Sequence, residues 1–281
     1  MKKVHVHKSG EAGIFANAYV VEAERSLIVI DTTLTLSEAR AFGQKLRALQ
    51  KPVAAVLITH AHPDHVAGLS VWLSDPGTPV YALASVDRLL RAIEGPKRVQ
   101  WEPVFKDEWV SKWALPNRLV KDGETVTIDG THFRVHELGP GGDCDANSVW
   151  IMTGDPPAVF TGDLVFHGTH SYMADGHTTE WLRNLDFVRP LVPAGAPLYP
   201  GHGDPGDVSL LDAQASYLKF FRDAVRELSR GRTTLSDSEQ SELVSQMEAR
   251  VPGAKLSFMI GLSANVVAAE LAAEAQTAKT A

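Results

Sequence analysis

A layered α/β fold is what this sequence predicts, and three observations predict it. Short apolar runs with the character of buried strands alternate with stretches whose apolar residues recur at helical spacing, from Ala18 to Ile93 and again from Arg118 to Val188. Four separate strand ends offer side chains of the kind metals accept: the cluster His60 to His65, Asp143, Asp163 and His202. From about residue 207 onward the pattern is helical throughout. With no internal repeat and no low-complexity linker, residues 1–281 are expected to form a single domain.

Residues 4–7 alternate apolar and His, which predicts an edge strand with His5 and His7 on its outer face. Strands follow at Ala18–Glu22 and Ser26–Ile30 around a polar turn, the second closing on Asp31-Thr32-Thr33. Leu36, Ala39, Phe42, Leu46 and Leu49 predict a helix over 36–49. Pro52 opens the apolar run Val53–Ile58, a strand that delivers Thr59–His65. A helix is expected from Val66 to near Leu73, its N-terminus toward the His cluster, where amide dipoles favour negative ligands. A strand at Pro79–Ala82 and a helix at Ser85–Ile93 come next. Gly95-Pro96, Pro103 and Pro116 punctuate the segment 95–118, which holds Trp101, Trp109 and Trp113. That segment reads either as an aromatic wall over a substrate pocket or as a peripheral cluster closing the core.

Arg118–Leu138 reads as two or three strands with hairpin turns at Asp122-Gly123 and Asp129-Gly130. Strands are expected at Ser148–Met152, Ala158–Thr161 and Pro197–Tyr199, and a helix over Thr179–Val188. Helices over 207–229, 235–249 and 255–274 complete the chain, with an Ala-rich tail, 275–281, expected to fray.

Apolar residues make up 44% and charged residues 22%, proportions of a globular protein with a sizeable core. A formal charge of −7 counts against a surface for polyanions, so no nucleic-acid partner is expected. The one cysteine, Cys144, excludes an intrachain disulfide and suits a reducing compartment; beside Asp143 it reads as a small apolar filler. Met1–Lys8 carries positive charge with no apolar stretch behind it, and no uninterrupted apolar run reaches the roughly 18 residues of a membrane helix. A cytoplasmic location without membrane contact is therefore the expectation. The long C-terminal helices offer a surface for homo-oligomers.

The chemistry concentrates in Thr59-His60-Ala61-His62-Pro63-Asp64-His65. Three imidazoles and a carboxylate within six residues, placed at a strand end, are what zinc, iron or manganese accepts, and they are enough to serve two ions in part. This His-x-His-x-Asp-His motif, the later Gly162-Asp163 after a strand and Gly201-His202 after another resemble the metallo-β-lactamase-fold hydrolases over roughly residues 14–205. The resemblance implies an αββα sandwich of two mixed sheets flanked by helices. It implies that His60 and His62 hold one metal, Asp64, His65 and His202 a second, and Asp163 bridges them. The family pattern has a histidine in a Gly-His-Thr/Ser-x-Asp-Asn-like loop, where this chain reads Gly142-Asp143-Cys144-Asp145-Ala146-Asn147. Asp143 is the expected ligand there, with Asp145 or a poorly filled first site as alternatives.

An anionic oxygen in place of a neutral nitrogen lowers the cluster's charge by one and favours a harder metal, so manganese or iron stand beside zinc. The implied activity is hydrolysis of a small ester, lactone or amide by a metal-bridging hydroxide, with Asp64 handling the proton. His170, Tyr172 or His177, just beyond Asp163, are expected as oxyanion donor or leaving-group acid. The other readings are a phosphodiesterase, a mononuclear iron dioxygenase resembling persulfide dioxygenases, and a non-catalytic metal-binding member.

Overall fold

The structure, a computed structural model, describes residues 2–280. The first sheet contains β1 (Lys3–Lys8), β2 (Asn17–Glu22), β3 (Leu27–Ile30), β4 (Val53–Leu57), β5 (Val80–Leu83) and β6 (Arg118–Val120), in that order. β1 to β3 pair antiparallel and β3 to β6 parallel, so the sheet is mixed. The second sheet is built from β7 (Thr125–Ile128), β8 (Thr131–Gly139), β9 (Asn147–Thr153), β10 (Ala158–Phe166) and β11 (Leu198–His202), lying in the order β11-β10-β9-β8-β7. Here β7 to β10 pair antiparallel, and β11 joins β10 in parallel.

Around the sheets lie α1 (Leu36–Ala48), α2 (Pro63–Val66), α3 (Leu69–Trp72), α4 (Ala84–Phe105), α5 (Thr178–Val188), α6 (Ser209–Ser229), α7 (Asp237–Arg250) and α8 (Phe258–Thr280). Alternation along β9 shows how the layers form. Trp150 and Met152 point into the core shared with the first sheet, while Val149 and Ile151 point into the core beneath α5, α6 and α8. The expected sandwich of two mixed sheets flanked by helices is what the chain adopts.

Several boundaries differ from expectation. His5 and His7 share a face of β1, yet α1 covers that face at His7, which is buried against Phe42 at 5.0 Å. The helical turn after the His cluster starts at Pro63, because a proline's fixed φ suits a first helical position, and it stops at Val66 before α3 begins. Helix α4 runs through Gly95-Pro96 and Pro103 to Phe105, since Ile93, Trp101 and Phe105 pack against the core and outweigh the local breakers. Strand β10 continues past Thr161 to Phe166, crossing Gly162 at φ +49° with a shift of register against β11.

Helix α8 extends through the expected fraying region to Thr280; Ala281 lies outside the described residues. By length and composition α8 could cross a membrane, but it packs Ile260, Ala264, Val267 and Leu271 into the second core. Its Glu270 and Glu274 pair with Arg222 of α6 at 3.3 and 2.7 Å. Glu270 also accepts from Thr178, and Glu274 from Thr179, which ties the start of α5 to the same helix.

Candidate metal centre

Strand β4 ends at Leu57, and the next residues enter the space between the two sheets. Thr59 is held there by Asp31, at the end of β3. Asp31 Oδ1 accepts the Thr59 N–H at 2.8 Å, and Oδ2 accepts the Thr59 hydroxyl at 2.7 Å and His65 Nδ1–H at 3.1 Å. Asp31 reaches these donors from the left-handed region, φ +56°, which Asp tolerates better than most residues. Because the Thr59 hydroxyl donates to Asp31, its oxygen accepts from His60 Nδ1 at 2.8 Å. Both His60 and His65 therefore present a bare Nε2. His202 is set in the same way, its Nδ1 donating to the Ile14 carbonyl at 2.9 Å.

The second sheet supplies the rest. Asp143 hangs from the β8–β9 loop, where Asn147 donates to the Gly139 and Cys144 carbonyls and shapes the turn. Asp163 follows the irregularity at Gly162 in β10, and His202 ends β11. Gly201 is required beside them: a Cβ there would overlap Asp163 Oδ1.

Two groups of four buried donors result, His60–His62–Asp143–Asp163 and Asp64–His65–Asp163–His202, sharing Asp163. In the second group, His65 Nε2 lies 3.2 Å from Asp64 and 3.3 Å from Asp163, while His202 Nε2 lies 3.2 Å from each. Four donors about 2.1 Å from a tetrahedral zinc stand about 3.4 Å apart, so these spacings fit such an ion. In the first group, His62 Nδ1 stands 2.6 Å and His60 Nε2 3.6 Å from Asp143, and His60 Nε2 3.9 Å from Asp163. His60 Nε2, His65 Nε2, Asp143 Oδ1 and Asp163 Oδ1 are buried without a hydrogen-bond partner. Buried polar atoms left so by the protein and gathered in these two groups fit divalent cations.

The cluster forms the floor of a cavity of about 330 Å³. Ile14, Leu34, Trp101, Val104, Phe105, Phe258, Met259 and Leu262 make an apolar wall above His62, Asp64, Asp143, Asp163 and His202. Lys97 and Tyr172 are the other polar residues lining it. The sequence profile of the metallo-beta-lactamase superfamily matches residues 12–210. The chain belongs to that superfamily.

Among its relatives, a hydroxyacylglutathione hydrolase of Prochlorococcus marinus (strain MIT 9312) is 24% identical over 182 residues, covering 64% of this chain and 62% of that one. The beta-lactamase-like protein 2 homolog of Caenorhabditis elegans is 25% identical over 201 residues, covering 66% of this chain and 55% of its own. The chain thus spans less than two thirds of the length of these two curated relatives. A metallo-beta-lactamase type 2 of Bacteroides fragilis is 23% identical over 201 residues, with 70% and 72% covered. A solved metallo-beta-lactamase family protein of Thermus thermophilus shares the fold over 97% of this chain and 94% of its own, with a TM-score of 0.68 and 18% identity.

Within this superfamily chain, Asp143 rather than Asp145 joins the cluster. Asp145 is exposed and binds His177 at 2.8 Å. Cys144 is buried, its thiol donating to the Ala146 carbonyl at 3.3 Å, and burial raises its pKa well above the usual thiol value. Burial would lower the His62 pKa, but the Asp143 carboxylate outweighs it and brings His62 up to about 10. A cation between these two would replace the proton they share, so binding releases protons and weakens as pH falls.

The loop after Asp163 divides the expected catalytic candidates. Tyr172 lines the cavity, its ring edge-on to His62 at 5.5 Å and its hydroxyl donating to Asp175 at 3.1 Å. Burial first, and then Asp175, hold the Tyr172 hydroxyl far above its usual pKa, so it stays a donor. His170 does not reach the cavity: it is buried 3.1 Å from the Tyr217 hydroxyl, under α6. His177 is turned outward at the start of α5, onto Asp145. The tryptophan segment is split as well. Trp101 lines the cavity, whereas Trp109 and Trp113 lie in the core beyond α4, in an extended rather than helical stretch.

Three residues outside the expected set belong to the site. Asp31 orients two histidines, Lys97 reaches the cavity from α4, and Asp175 holds the outer nitrogen of His62 at 3.2 Å. Burial would raise the Asp175 pKa, but the hydrogen bond and charge of His62 bring it to about 2. Asp31 and Asp175 carry a sequence signal only as acids following a strand end or within a polar loop.

Proposed function

We propose that this chain is a dinuclear metal-dependent hydrolase of a small ester, lactone or amide. The observation that carries the reading is the pair of buried four-donor groups sharing Asp163 on the floor of an apolar cavity. His60, His62, Asp143 and Asp163 would hold one ion, and Asp64, His65, Asp163 and His202 the other, with zinc, manganese or iron as candidates. Divalent ions held by these residues would supply a hydroxide at neutral pH and polarisation of the electrophile.

The chain's own residues do the rest. Asp64 faces the cavity and takes the proton of the attacking water, passing it to the leaving group. Tyr172, held protonated, would donate to the oxyanion by turning its hydroxyl away from Asp175. Lys97 is partly buried on the wall 5.8 Å from the Tyr172 ring centre and makes no ion pair among the described residues, which leaves its charge for the substrate. The aliphatic and aromatic wall excludes bulk water. A cavity of this size suits a small molecule.

Elemental analysis of the purified protein, beside turnover of an ester, lactone, amide and phosphodiester panel, tests the reading. The expected result is two metal equivalents per chain and hydrolysis that a chelator abolishes and added metal restores. One iron per chain with oxygen consumption and no hydrolysis would establish the dioxygenase reading instead. Bound metal with no turnover of any panel member would leave a non-catalytic metal binder.

A further inference from the structure

Among the described residues few large apolar side chains are exposed, and three of them line the metal cavity: Val104 at 60% exposure, Phe258 at 53% and Leu262 at 45%. They continue inward into Trp101, Phe105 and Met259, so one apolar slot runs from solvent to the metal floor between the C-terminal half of α4 and the first turns of α8. Apolar patches joined to a cleft mark ligand surfaces, because leaving them wet opposes folding and helps only when something covers them.

Both walls are fixed in place. On α4, Trp101 packs on Phe105 at 6.1 Å and Phe105 stacks on Trp109 at 6.2 Å, anchoring the outer helix to the core. Helix α8 is tied down by Arg222 through Glu270 and Glu274. These six side chains offer no strong hydrogen-bonding group except the Trp101 indole N–H, and Lys97, the only Lys or Arg lining the cavity among the described residues, stands by Tyr172 near His62. A polar arm would lose its water along this slot without compensation.

Building on the hydrolase reading, we propose that the substrate carries an extended aliphatic chain that lies in this slot while its polar head meets the metal floor. The slot's continuity with the reaction cavity argues for this occupant over a second copy of the protein. It makes α4 and α8 the elements that set chain-length preference.

A homologous series of p-nitrophenyl alkanoates, from acetate to decanoate, and of n-alkyl hydroxamates as binding probes, tests this on the metal-loaded protein. The expected result is a rise in kcat/KM and in hydroxamate affinity of two- to fourfold per methylene, the upper figure corresponding to about 0.8 kcal/mol per buried CH₂. L262D and V104D, both at exposed positions, should flatten that slope, whereas V99D, on the same helix, 77% exposed and off the wall, should retain it. Hydrolysis with no dependence on chain length overturns the slot and leaves the hydrolase reading standing. Absence of hydrolysis, with hydroxamate affinity still climbing and flattened in L262D, retains the slot and overturns the reaction. A dimer that dissociates in L262D, with a flat chain-length profile, would place a second copy on the patch and overturn the proposal.

Discussion

Asp31→Asn changes one oxygen for an NH₂ group at the residue that sets two histidine tautomers. Asp31 accepts three hydrogen bonds, from the Thr59 N–H, the Thr59 hydroxyl and His65 Nδ1–H. Asn can accept on one side only. If its NH₂ faces Thr59 N–H, a buried donor is orphaned, which costs about 1–3 kcal/mol. If it faces the hydroxyl and His65, the hydroxyl must turn toward His60 Nδ1 and His65 must move its proton to Nε2. Both imidazoles then direct N–H groups at the metal floor instead of lone pairs. Loss of partners of this kind weakens metal binding roughly 10- to 100-fold, or about 1.4–2.7 kcal/mol. Asn accepts the left-handed conformation found at Asp31, so the backbone is retained. Zinc competition against a chromophoric chelator, with circular dichroism to confirm folding, measures the effect. A folded D31N protein with unchanged affinity for both metal equivalents would refute the tautomer argument.

Other perturbations address separate parts of the molecule. Asp143→His restores a neutral nitrogen in the first donor group and should keep or tighten zinc binding by chelator competition; loss of both metals would show that Asp143 is no ligand. Gly201→Ala places a methyl on Asp163 Oδ1 and should remove at least one metal equivalent, by elemental analysis, from a protein that still folds. Arg222→Met leaves Glu270 without its cation between α6 and α8, and should cost about 2–3 kcal/mol in urea unfolding at pH 7, the exposure of Glu274 reducing the effect. The pH dependence of that penalty follows from Glu274. Burial would raise its pKa, but Thr179 and Arg222 hold it below the usual carboxylate value. The stabilisation is therefore complete above the unfolded value near 4.5 and fades as pH falls through the lower folded value, so wild type and R222M should converge in acid.

The layers and most metal donors were legible because they rest on local patterns. His60, His62, Asp64 and His65 follow a buried strand directly, and β9 alternates its faces with period two. Asp143 stood out in the same way, as a departure within a recognisable loop. What escaped depends on contacts between distant residues. Asp31 is an ordinary acid after a strand until the left-handed turn brings it under Thr59, 28 positions later. His170, Tyr172 and His177 have similar local surroundings in sequence, and only the packing of α6 and the start of α5 sends the first inward and the last outward. The breakers in α4 hid its length, because Trp101 and Phe105 find their partners only in the assembled core.

The order of the parts along the chain has a consequence for how the site is made. Every donor of the metal floor precedes residue 203, while one wall of the slot begins at Phe258. A chain emerging from the ribosome exposes a complete set of ligands before it can enclose them. The wall that α8 contributes to the slot closes last, when α8 docks onto α6 and α7.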